Sequence, residues 1–108
     1  MKSRPCKLSS GRYIDCAAQD ATHLTINIPG PSGQLTFPVI IHGTRKGTNC
    51  WTWNGSIDAP TLKPSVLTKG HGFLCHTWIN DGKAQFLDDC SHELKGQTLD
   101  LLDIKVES

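Results

Sequence analysis

Several signatures of small catalytic and binding domains are missing from this sequence. It has no Cys-x-x-Cys pair, no His-Glu-x-x-His, and neither half of the His-x-Glu and Pro-Cys-x-x-Cys pattern of the zinc deaminases. Without a Gly-rich phosphate loop it offers no anchor for a nucleotide. An excess of charge of one sign is also absent: 11 basic and 10 acidic residues leave +1, which excludes the clustered Lys and Arg that duplex nucleic acid requires. Residues 1–11 carry charges and Ser where a secretory leader would carry an apolar run, and no stretch is long and apolar enough to span a membrane. The expectation is a cytoplasmic protein with neither duplex nucleic acid nor a membrane as partner.

The 108 residues, 37% of them apolar, suffice for one domain over 1–108 with a thin core. Lys2, Arg4 and Lys7 mark residues 1–10 as a flexible tail. Five Cys in a reducing compartment favour metal ligation over a disulfide framework, and the odd count agrees.

Turn signals recur along the chain at Pro29-Gly30, Asn54-Gly55, Gly70-His71-Gly72, Asp81-Gly82 and Gly96, with short β-branched and aromatic runs between them. Residues 23–29 alternate with Leu24, Ile26 and Ile28 on one face. Residues 35–41, 51–53 and 98–106 read as further strands. The fold class is mainly β, a small antiparallel sheet or sandwich with hairpins and one short helix near 91–95, where Ser91 is the N-cap and Gly96 the left-handed stop.

Asp81-Gly82 specifies a two-residue type I′ hairpin, because both central residues need positive φ. The register pairs Asn80 with Lys83, Ile79 with Ala84, Thr77 with Phe86 and Cys75 with Asp88, which sets Cys75 on the apolar face and His76 on the other. Cys90 then falls diagonally from Cys75, where both sulfurs reach a common zinc ion, and His92 joins them. Cys16 is the fourth ligand, with His23 and His76 as alternatives. Cys6 and Cys50 read as a free thiol and a buried small hydrophobe. The competing reading makes Cys75 a core residue, His92 a cap or surface group, and Trp51, Trp53 and Trp78 core aromatics.

Four blocks carry a resemblance: Trp-Thr-Trp-Asn-Gly from 51, Ala-Pro-Thr-Leu-Lys-Pro-Ser-Val from 59, Cys-His-Thr-Trp-Ile-Asn-Asp-Gly from 75, and Phe-Leu-Asp-Asp-Cys-Ser-His-Glu-Leu-Lys-Gly from 86. Over residues 51–101 the chain resembles a family of small, uncharacterised proteins of bacteriophages and prophages, some of which are labelled ammonia monooxygenase. The label finds no membrane segment and no set of His and carboxylate ligands here. The resemblance implies a phage-encoded protein in the host cytoplasm, with host takeover or counter-defence as its setting. It also implies an N-terminal Cys-Pro-x-Cys segment followed by a His. Cys16 and His23 occupy that place without the Pro or the second Cys.

The leading function is a β module with a structural Zn²⁺. His76, Trp53, Asn54, Thr61, Ser65 and Asp89 form its working surface, with the loop from Pro60 to Ser65 holding a host-derived small ligand or protein. The alternative is a zinc hydrolase or deaminase in which Cys75, Cys90 and His92 leave a position open for water. A third reading is a metal-free β interaction domain, with a dimer contact on a flat sheet face.

Overall fold

The computed structural model describes residues 1–30, 32–41, 50–70, 72–91 and 93–104. The strands are β1 (Ser3–Ser9), β2 (Arg12–Asp15), β3 (His23–Ile28), β4 (Gly33–Ile40), β5 (Trp51–Trp53), β6 (Leu62–Gly70), β7 (Phe73–Asn80), β8 (Lys83–Phe86) and β9 (Thr98–Asp100). They follow the spatial order β2-β1-β3-β4-β5-β6-β7-β8-β9. Every pair is antiparallel except β4–β5, where Val39 and Ile40 run parallel to Trp51 and Thr52. The mainly β class expected from the turn spacing is the class observed.

Alternation along the strands makes the core. Leu24, Ile26 and Ile28 of β3, Val39 of β4, Trp53 of β5, Leu62 and Val66 of β6, and Cys75 and Ile79 of β7 are all buried. The sheet bends over this core until the chain beyond β9 meets its beginning. Leu102 N–H donates to the Asn27 carbonyl at 2.9 Å, Ile104 N–H to that of Met1 at 2.9 Å, and Lys2 Nζ to that of Leu101 at 2.8 Å. These bonds occupy backbone groups that an open edge would leave unpaired.

Residues 1–10, expected to be a tail, instead supply β1, paired with β2 on one side and β3 on the other. Ser3 and Cys6 are buried there, and the Ser3 hydroxyl donates to the Ile57 carbonyl at 2.7 Å. Of the charges that suggested a tail, Arg4 is half-buried and Lys7 exposed on a strand whose Ser3, Pro5 and Cys6 are buried. Arg4 clamps Asp15 across β1 and β2 at 2.6 and 2.8 Å, which lowers the Asp15 carboxyl from its ordinary value.

The β7–β8 hairpin has the expected register of Asn80↔Lys83, Ile79↔Ala84 and Thr77↔Phe86, with positive φ at Asp81 and Gly82. Gly82 is doubly constrained, since an added Cβ would stand 3.1 Å from the Asp58 carbonyl oxygen. The expected helix near 91–95 is corrected to a turn: Gln97 N–H bonds Leu94 O at 2.9 Å, and Gly96 takes the left-handed conformation expected of it. Ser91, expected to cap that helix, donates its N–H to the Leu74 carbonyl and accepts the Leu74 N–H at its hydroxyl. Helical structure among the described residues is the 3₁₀ turn Ala18–Asp20. No helix of the described residues is long and apolar enough to cross a membrane.

Candidate active site

β6 and β7 pair antiparallel, and their register sets Leu67 opposite His76 and Val66 opposite Thr77. Val66 and Thr77 face the core, so Ser65 and His76 both face outward, as diagonal neighbours across the two strands. The register then breaks. Leu62 pairs with Ile79, leaving Lys63, Pro64 and Ser65 opposite Trp78 alone. Such a bulge re-aims side chains and also tolerates Pro64, whose missing N–H would disrupt a regular inner strand. Residues 60–65, expected to form a loop, thus enter a strand whose distortion presents Ser65.

Ser65 Oγ lies 2.7 Å from His76 Nε2, a contact in the hydrogen-bond range. The Ser65 carbonyl accepts a 3.4 Å bond from Trp51 Nε1 of β5. On its other side His76 Nδ1 lies 2.9 Å from one oxygen of Asp89 and 3.2 Å from the other. With Nδ1–H donated to the carboxylate, Nε2 is left to accept from the serine hydroxyl, the tautomer that a general base requires. The His76 and Asp89 side chains are 26% and 55% exposed, so the row lies open at the surface.

Asp89 is carried by a loop laced to β7 and closed at its neck. Phe86 N–H donates to Gln97 O at 2.8 Å and Gly96 N–H to Phe86 O at 2.9 Å. Within it, Leu87 N–H donates to His76 O, and Cys90 N–H returns to Leu87 O in a tight turn with Asp89 near its tip. Cys90 Sγ accepts the His76 N–H at 3.1 Å and donates to the His76 carbonyl at 3.2 Å. The thiol acts here as a ladder partner, fixing the residue after Asp89 to the backbone of the histidine that Asp89 orients.

The expected zinc ligands include one adjoining pair. Cys75 and Cys90 are buried within hydrogen-bond range of each other, and burial, with Cys90 adding to it, pushes the Cys75 thiol up from its ordinary value. Cys16 lies in the N-terminal half: its N–H donates to Pro5 O, and its charged neighbours are Lys7, Asp15 and Asp20. His23, the alternative ligand, stacks edge-on with Tyr13 at 5.0 Å and sits between Cys6 and Pro38 in the sheet. His92 lies outside the described residues. Among the described residues no group of three or more His, Cys, Asp and Glu is arranged to hold a metal ion.

Of the expected working surface, the structure joins Ser65, His76 and Asp89. Trp53 is fully buried, with Nε1 donated to the Ser56 carbonyl, which makes it a core residue rather than a recognition group. Asn54 is occupied by its own loop, since Oδ1 accepts the N–H groups of Ser56 and Thr61 and Nδ2 donates to Ala59 O. Thr61 braces the hairpin turn by accepting Asp81 N–H at 2.9 Å.

A family model described as "Bacterial ubiquitination-like system serine protease (BubE)" matches residues 11–87. Neither the curated proteins nor the solved structures yield a match.

Proposed function

The chain belongs to the BubE family of bacterial ubiquitination-like system serine proteases, and from that premise we propose that Ser65, His76 and Asp89 are the catalytic triad of a serine protease in such a system. The observation that carries the reading is the continuous row from Ser65 Oγ through both ring nitrogens of His76 to Asp89, at 2.7 and 2.9 Å. Ser-His-Asp triads are recognised by this geometry and not by chain order, which differs among unrelated folds.

In the proposed reaction His76 Nε2 takes the Ser65 hydroxyl proton as Oγ attacks the scissile carbonyl. Asp89 holds the imidazole and stabilises the imidazolium that forms, without itself taking the proton. The tetrahedral intermediate collapses to an acyl-Ser65 ester as His76 gives its proton to the leaving amine. Water, activated by the same nitrogen, then releases the acid and restores the serine. The residues expected to hold a ligand are thus arranged to attack one, and the partner becomes a peptide or protein substrate.

The test uses p-nitrophenyl acetate, whose acyl group any activated serine accepts. The expected result is hydrolysis that is lost in Ser65→Ala and in His76→Ala. No hydrolysis above the uncatalysed rate, or hydrolysis unchanged in Ser65→Ala, overturns the reading. A second reading retains a structural zinc, favoured by the contact between Cys75 and Cys90. Elemental analysis of the purified protein decides it, stoichiometric zinc supporting it and background levels removing it.

A further inference from the structure

The bulge that presents Ser65 also opens the ground beside it. Lys63, Pro64 and Ser65 oppose Trp78 alone, which interrupts the regular pairing of β6 and β7, and a cleft of about 400 Å³ lies beside the interruption. Its floor is Leu62 and Ile79, both 1% exposed. Lys63, Trp78, Asn80 and Gln85 line it from β6, β7 and β8. Trp78 follows His76 by two positions, a separation of about 6–7 Å along β7, and Lys63 precedes Ser65 by two within the bulge. That is about two residues' length of an extended substrate.

The lining has a definite chemistry. It contains no carboxylate, and Lys63 is its cation, forming no ion pair among the described residues. Lys83, farther along the same hairpin, is already paired with Asp100 at 3.9 Å. Trp78 leaves 40% of its surface exposed, a flat apolar wall beside the polar ends of Asn80 and Gln85. An aliphatic stem fits against the indole, and a terminal carboxylate meets the ammonium and the side-chain amides.

Resting on the triad reading, we propose that this cleft is the subsite that selects an acidic side chain, of glutamate type, on a residue within about two positions of the scissile bond. Lys63 is its specificity-determining residue and Trp78 its wall. The subsite directs which peptide Ser65 acylates upon; it takes no part in the proton transfers.

Internally quenched peptides differing only in Glu, Gln or Lys at positions flanking the cleaved bond test the assignment. The expected kcat/KM order is Glu above Gln above Lys at one of those positions. Lys63→Ala reduces the Glu preference about tenfold, and Lys63→Glu inverts it in favour of Lys. Hydrolysis with the same preference in all these variants overturns the subsite and leaves the triad standing. Binding is measured separately on Ser65→Ala by the change in Trp fluorescence with the Glu peptide, and again with Lys63→Ala added. Saturable binding that the added substitution weakens supports the subsite even where the hydrolytic reading has failed. Absence of binding, or binding indifferent to Lys63, overturns it.

Discussion

On β7, Cys75, Thr77 and Ile79 point inward while His76 and Trp78 point outward, alternate residues of one strand in opposite surroundings. The inner residues are 0–1% exposed, and burial holds the Cys75 thiol in its protonated, unreactive form. On the outer face, an intrinsically weaker nucleophile, Ser65, lies 2.7 Å from a base that a carboxylate orients. Reactivity here follows access and a neighbouring base more than residue type. Five cysteines draw attention in this sequence, yet the proposed chemistry is assembled around a serine.

The comparison is broken most severely from outside. Ser65→Ala and His76→Ala should each lower kcat by roughly 10³-fold or more, and Asp89→Asn by a similar order, because the members act as a unit. Melting temperatures should stay within a few degrees of wild type, as these side chains lie outside the core. A melting temperature that falls along with activity would mean that the row holds the fold together.

Inner-face substitutions should show the opposite pattern. Ile26→Ala removes buried methyl groups from the core face of β3 and should cost about 2–5 kcal/mol in denaturant unfolding, with kcat per folded molecule unchanged. Cys90 belongs to both sides, since its buried sulfur bonds the backbone of His76. Cys90→Ala should therefore destabilise by about 1–2 kcal/mol and also lower kcat several-fold at constant KM, with Cys90→Ser restoring part of the rate. The smallest effect is a gain. The Thr77 hydroxyl is buried with no partner among the described residues, so Thr77→Val should stabilise by about 1 kcal/mol or less in the same assay.

Local chemistry was the part most readily read from sequence. Asp81-Gly82 dictates its turn, and with the period of two along β7 that turn places His76 outside and Cys75 inside. Leu24, Ile26 and Ile28 announce β3 in the same way. Non-local pairing was not legible. The partnership of Ser65 with His76 depends on the register break between Leu62 and Val66, which no turn signal marks. Pro64 was the available clue. A proline inside a β-branched run between two polar positions signals a bulge as readily as a loop, and a bulge keeps Ser65 on a strand beside His76. Asp89 was legible as a surface carboxylate but not as the partner of the His76 ring, because the turn that delivers it is closed by backbone bonds to Phe86 and His76, groups without a sequence signature. The charged N-terminus misled for a physical reason: Ser3, Pro5 and Cys6 of β1 are buried while Lys7 to Ser9 are exposed, and the charges among them look like a tail.

The most direct test of the central claim is the intact mass of the protein after exposure to a fluorophosphonate, followed by peptide mapping. The account predicts a single adduct, on Ser65, that is strongly reduced in His76→Ala and in Asp89→Asn while Cys75 and Cys90 remain unmodified. An unmodified Ser65, or an adduct that forms equally well without His76, would contradict it.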